Sequence, residues 1–198
     1  MNLLPNTDAA LARIVKIISL LVVVVFLPAP LAAADDGSFR YERAMKKLET
    51  ARDEYHHWIA LDSAAKESFN QGHDADAKKF ADELENLAPK YVKDWNYGNA
   101  IQDCNVVLGR LALKAGDTES AKQHLLAAGH SPGSPQMDSF GPNMSLAKDL
   151  LVKGEKAVVL EYLDLCRAFW ELEKGKLDLW KSDVQAGRIP DFGATLVY

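Results

Sequence analysis

At 198 residues, with 48% hydrophobic and 26% charged side chains, the chain carries enough apolar material for one buried core and too much for a disordered polypeptide. Its formal net charge of −5 and its lack of any basic block exclude the clustered Lys and Arg through which counterion release gives nucleic-acid affinity. Nucleic acid is therefore not an expected partner.

Arg13 and Lys16 precede an apolar run, Ile17 to Leu27, followed by Pro28-Ala29-Pro30 and Leu31-Ala32-Ala33-Ala34. This is the layout of a secretory signal, because the run falls short of the roughly 20 apolar residues that span a bilayer core. Small side chains at Ala32 and Ala34 predict cleavage before Asp35, which places the mature protein in the periplasm or outside the cell. The alternative is an uncleaved anchor facing the periplasm, with the apolar stretch reaching back to Ala9 while Arg13 and Lys16 snorkel. No cysteine lies near the cleavage point, so lipid attachment there is excluded. Removing residues 1–34 takes away two of 23 basic and one of 28 acidic residues, which leaves 21 and 27 and a net charge of −6.

After Asp36-Gly37-Ser38, the residues Tyr41, Ala44, Met45, Leu48, Ala51, Tyr55, Trp58 and Ile59 recur at three- and four-residue steps and predict one amphipathic helix. From there to Gly187 no stretch alternates apolar and polar side chains, so an all-α chain is expected. Gly72, Gly116 and Gly154 each close one helical pattern and are followed within one or two residues by an acidic residue that opens the next. The unit helix, tight turn, helix therefore repeats.

The middle unit reads Asn105-x2-Leu108-Gly109-x2-Ala112, a turn at Gly116-Asp117, then Ala121-x3-Leu125, Ala128 and Pro132. Around it lie Leu61-x2-Ala64-Ala65-x2-Ser68 with Ala77-x3-Ala81, Leu84 and Pro89, and Asn143-x2-Leu146-Ala147-x2-Leu150 with Val159-x3-Leu163. Ala65 to Ala77, Gly109 to Ala121 and Ala147 to Val159 are all twelve residues apart. Small residues so spaced let two helices approach closely and present a shared apolar face to the next pair. The pattern resembles the tetratricopeptide-repeat family over roughly residues 58–171. The repeat centres are 44 and 38 residues apart rather than about 34, so insertions fall at Lys90–Ile101 and His130–Pro142. Trp95-Asn96-Tyr97-Gly98-Asn99-Ala100, Ser131-Pro132-Gly133-Ser134-Pro135 and Ser139-Phe140-Gly141-Pro142-Asn143 are also similar to uncharacterised bacterial members of this superfamily, a likeness that carries no activity.

The domain reading is a signal peptide at 1–34, an N-terminal capping helix at 35–58, repeats at 59–171, and a C-terminal capping helix with an extended tail at 172–198. Lys176–Gln185 supplies that last helix, and Phe192 and Leu196 are expected to pack back on the bundle. Cys104 and Cys166 are compatible with a disulfide in an exported protein, but their places in the repeats favour two buried free thiols.

His56, His57, His73, His124 and His130 show no i, i+4 pair and no Cys–His cluster with zinc spacing, so they read as surface residues. His73-Asp74-Ala75-Asp76 sits at a helix start, where acidic residues complement the dipole. No phosphate loop, nucleophile elbow or kinase signature occurs. No catalytic residue, metal site or cofactor is nominated, and the expected function is binding rather than catalysis.

The candidate binding residues come from register. A basic residue directly follows each small first-helix residue: Lys66 after Ala65, Arg110 after Gly109, Lys148 after Ala147, with Lys114 one turn beyond Arg110. In the geometry that the resemblance implies, these positions lie near a concave groove, so the four would form a ladder for an acidic or C-terminal peptide. The bland reading is solvated side chains lying over apolar neighbours. Asn99 and Gln102, in the first insertion, are weighed evenly between ligand contacts and structural roles. Trp95 and Phe140 are expected to plug gaps left by the irregular spacing, and Asn143 or Ser145 to cap the helix that carries Leu146. The expectation is thus an exported protein- or peptide-binding module, an adaptor or assembly factor of the cell envelope. The alternatives are a membrane-anchored structural subunit and an enzyme with an unfamiliar site.

Overall fold

Three turns of one construction set the architecture. Gly72, Gly116 and Gly154 take φ values of 78°, 88° and 89°, the left-handed region that a side chain disfavours. In each turn the residue after the glycine donates to the carbonyl five residues earlier: His73 N to Ser68 O at 2.9 Å, Asp117 N to Ala112 O at 2.9 Å, Glu155 N to Leu150 O at 3.0 Å. The glycine amide donates to the carbonyl three residues back in all three. This satisfies the orphan carbonyls of the ending helix and reverses the chain within a few residues.

The computed structural model describes residues 37–196, so the signal and cleavage readings lie outside the described residues. Within them the chain is all-helical, with no strand. Helix α1 spans Ser38–Glu49, α2 Glu54–Asn70, α3 Asp74–Leu87, α4 Tyr97–Lys114 and α5 Thr118–Gly129; α6 is the short Pro135–Phe140, α7 is Ser145–Val152, α8 Lys156–Cys166 and α9 Lys176–Gln185. Two 3-10 turns, Ala88–Tyr91 and Gly193–Leu196, complete it. In space α1 lies on α2, α2 on α3 and α4, α4 on α5 and α7, α5 on α8, and α8 on α9.

The small residues sit between helices. Ala65, Gly109 and Ala147 are buried, as are their counterparts Ala77, Ala121 and Val159. A Cβ on Gly109 would lie 2.3 Å from Leu146 Cδ2, 3.0 Å from His124 Cβ and 3.4 Å from Ala121 O, so α4, α5 and α7 converge there. Two apolar clusters meet along α4. Val107, Leu108 and Cys104 belong with Trp58, Leu61 and Leu84, whereas Val106 and Leu113 belong with Leu125, Leu146 and Leu163.

Several sequence readings are corrected. The single helix expected across Tyr41–Ile59 is two. Thr50 Oγ1 folds back on Lys46 O at 2.8 Å, and Asp53, in an extended conformation, accepts from His56 N at 2.8 Å and starts α2. Trp58 and Tyr55 therefore belong to α2 rather than to a cap. Trp95 and Phe140 fill no gap, being 59% and 57% exposed. His124 is not a surface residue: it is half-buried against Asn105 Oδ1 at 2.8 Å, and burial lowers its pKa. The 131–143 insertion contains α6, opened by Ser134 Oγ accepting from Met137 N at 3.0 Å with Pro135 in the first turn.

The C-terminal segment packs back on the bundle. Trp180 lies 5.5 Å from Trp170 and 5.0 Å from Phe192, ring to ring, and its Nε1 donates to Asp191 O at 3.2 Å. Phe192 is buried, Leu196 packs against the second cluster, and Met144 N donates to Thr195 O at 2.9 Å. Cys104 and Cys166 are buried free thiols in separate clusters, and burial raises both pKa values.

Candidate functional site

A cavity of about 360 Å³ opens between α1, α2, α4 and the start of α7. Val106 and Val107 form part of its lining; Lys66, Phe69 and Arg110 face it, and Ser145 and Leu196 close the other side. That volume is at the lower end of ligand sites and suits a few side chains of a peptide.

Lys66 reaches Asp62 Oδ1 at 2.7 Å, one turn back on α2, and Asp103 Oδ2 at 3.1 Å on α4. Burial alone would lower the lysine pKa, but Asp103 and Asp62 outweigh it and the net shift is upward, so Lys66 stays charged. Asp103 moves up as well, because burial and the neighbouring Asp62 together disfavour its charge more than Lys66 favours it. The two carboxyl groups and the ammonium form one cluster, of which Lys66 alone lines the cavity.

Arg110 is fixed from two sides. Its Nε donates to Asp149 Oδ2 at 2.8 Å, and its guanidinium carbon lies 4.4 Å from the centre of the Phe69 ring. Lys114 turns to Asp74 at 2.5 Å, at the start of α3. Lys148 is exposed and has no acidic partner among the described residues. Of the four ladder residues, then, Lys66 and Arg110 share the cavity, while Lys114 and Lys148 do not line it. Three of the four have their charge met within the fold, which weakens any long-range attraction for an acidic ligand.

Asn99 and Gln102, considered as ligand contacts, are buried and used internally. Asn99 Nδ2 donates to Asn96 Oδ1 at 2.7 Å and to Gln136 Oε1 at 3.2 Å, and its Oδ1 accepts from Ser134 Oγ at 2.6 Å. Gln102 Oε1 accepts from Asn143 N at 2.9 Å, and its Nε2 donates to Tyr162 OH at 3.3 Å. Tyr162 OH in turn donates to Asn143 O at 3.1 Å. Asn143 Oδ1 accepts from Ser145 N at 2.9 Å, so Asn143 leads α7.

These bonds tie the two insertions together. Ser131 Oγ donates to Gly98 O at 2.7 Å, and a Cβ on Gly98 would fall 1.8 Å from Gly133 O. The segments 95–100, 131–135 and 139–143 therefore meet at one joint, at the N-terminal half of α4. Sequence reasoning placed the insertions together but missed Asp62 and Asp103; the signal available was an acidic residue four positions before Lys66 on one helix face.

Among the described residues, no group of three or more His, Cys, Asp and Glu side chains is placed to hold a metal ion, and no helix is long and apolar enough to cross a membrane. No family model, no curated protein and no solved structure matches this chain.

Proposed function

We propose that this chain is an exported interaction module of the tetratricopeptide-like type, which holds an extended protein or peptide segment in the cavity between α2 and α4. The observation that carries this reading is the cavity itself: about 360 Å³, on the first helices of successive helix pairs, with Lys66 and Arg110 held rigidly at its wall. The repeated glycine turns and the buried small residues support the repeat assignment. The apolar run behind Arg13 and Lys16 supports export to the cell envelope.

Recognition in such a cavity is short-range. The Nη groups of Arg110 have no partner among the described residues, so they can meet a carboxylate or a backbone carbonyl, while neighbouring acids cancel the distant field. Crosslinking and pull-down of the full chain from an envelope fraction tests the proposal, with Asn70→Trp as the comparison. Asn70 is exposed at the cavity lining, and an indole there obstructs it without touching the core. A partner captured by the parent and lost with Asn70→Trp supports the reading; equal capture by both overturns it.

The Asp62–Lys66–Asp103 cluster favours a second reading, an acid–base site, because a carboxyl group whose pKa burial raises, in contact with a lysine that lines a cavity, is an arrangement that proton transfer uses. Asp103→Asn would then abolish turnover of any substrate found, whereas in the binding module it leaves capture in place.

A further inference from the structure

We propose that the outward face of α1 is a docking surface for bilayers that contain anionic phospholipid. Helix α1 turns Tyr41, Ala44, Met45 and Leu48 toward the fold, all of them buried or half-buried. At about 100° per residue, the opposite face presents Phe39, Arg43, Lys46 and Lys47, all exposed, with Arg40 beside Lys47.

Four basic residues, Arg40, Arg43, Lys46 and Lys47, fall within eight positions of α1. Between Lys66 and Arg188 nine basic side chains lie within ion-pair distance of a carboxylate, and those that do not, Lys148 among them, are spread over several elements. Arg43, Lys46 and Lys47 have no such partner among the described residues, although Glu42 and Glu49 stand on the same helix. A protein with net charge −5 thus gathers three cations on one helix face, with the exposed Glu42 and Glu49 at its edge. Arg40, Arg43 and Lys47 also border a concavity of about 210 Å³ closed by Ala44, Ser63 and Glu67, which is room for a phosphate group. Glu67 opposes an anion there, and Arg43 and Lys47 favour it.

Phosphate diesters in a fluid surface fit these features better than other polyanions. The face is one helix wide, too narrow for the six to ten phosphate contacts of a typical nucleic-acid interface. Phe39, 67% exposed at the start of α1, gives an apolar side chain that can enter the headgroup layer.

Co-sedimentation of the full chain with phosphatidylcholine vesicles, with and without phosphatidylglycerol, tests the proposal. The apolar N-terminal run can partition into both kinds of vesicle, so the excess binding to phosphatidylglycerol reports α1. That excess should be present at low salt and vanish at high salt. The triple variant Arg43→Gln, Lys46→Gln, Lys47→Gln should reduce it by a factor on the order of a hundred, from about fivefold per cation, and leave phosphatidylcholine binding unchanged. Lys148→Gln with Lys153→Gln, at exposed positions on α7 and at its end, should change nothing. An excess that survives the triple variant or high salt overturns the proposal, as does no excess at all. Equal retention by a DNA oligonucleotide also overturns it by removing the lipid preference, and displacement from vesicles by inorganic phosphate at constant ionic strength overturns it by assigning the concavity to the free ion.

Discussion

Lys66 and Asp103 make opposite predictions although they touch. Removing the ammonium leaves Asp62 and Asp103 against each other in a mostly buried wall, so Lys66→Met should cost about 3 kcal/mol in urea unfolding. Asp103→Asn instead keeps the shape and an acceptor for Lys66 while removing the charge that burial disfavours. The folded pKa of Asp103 lies above its ordinary 3.8, so the fold holds a proton that the unfolded chain has already released. Its contribution to stability is complete below 3.8 and declines as pH rises through the folded pKa. Asp103→Asn should therefore be more stable than the parent at neutral and higher pH, and the two should converge as pH falls toward 3.8. A gap that widens on acidification would show that Asp103 is stabilised as the carboxylate.

At the scale of elements, three glycines rank themselves by what a methyl group would meet. Gly116 has a left-handed φ and open space around it, so Gly116→Ala should cost about 1 to 2 kcal/mol, all of it backbone. Gly109 lies inside α4, where alanine gains about 1 kcal/mol of helix propensity. Against this, the methyl group would press on Leu146, fully buried, and on His124 Cβ, an overpacking cost of about 1 to 3 kcal/mol. The net is a modest loss. Gly98→Ala meets the backbone oxygen of Gly133 at 1.8 Å, which no side-chain rotation relieves, and should cost about 3 kcal/mol or more. Thermal and urea midpoints of the three variants test this order; Gly98→Ala as mild as Gly116→Ala would mean that the two insertions do not meet as described.

These same glycines mark what the sequence could disclose. Gly72, Gly116 and Gly154 are legible because a local turn demands them and an acidic helix start follows within two residues. Gly98 is not, since the carbonyl that excludes its side chain is 35 positions away, at Gly133. The break between α1 and α2 stayed hidden because Leu48, Ala51 and Tyr55 keep the helical step across it, and only the Asp53 cap reveals the second start. Asn99 and Gln102 were open to a ligand reading because polar residues in an insertion suggest exposure; partners from the other insertion and from Tyr162 account for them instead.

For residues 37–196 as a whole, α4 decides how unfolding proceeds. Its two sides belong to different apolar clusters, Val107 and Leu108 to one and Val106 and Leu113 to the other, so neither cluster can open without unseating the helix that closes its neighbour. Leu84→Ala strikes the first cluster and Leu163→Ala the second; both leucines are fully buried, and each truncation should cost about 2 to 5 kcal/mol. With α4 shared, each variant should still unfold in one transition at a lower midpoint, and circular dichroism should coincide with tryptophan fluorescence. The fluorescence comparison discriminates between halves, because Trp58 reports the first cluster while Trp170 and Trp180 report the second. If Leu84→Ala instead releases Trp58 at lower urea than Trp170 and Trp180, the clusters are separate folding units, and α4 joins them in space without coupling them in free energy.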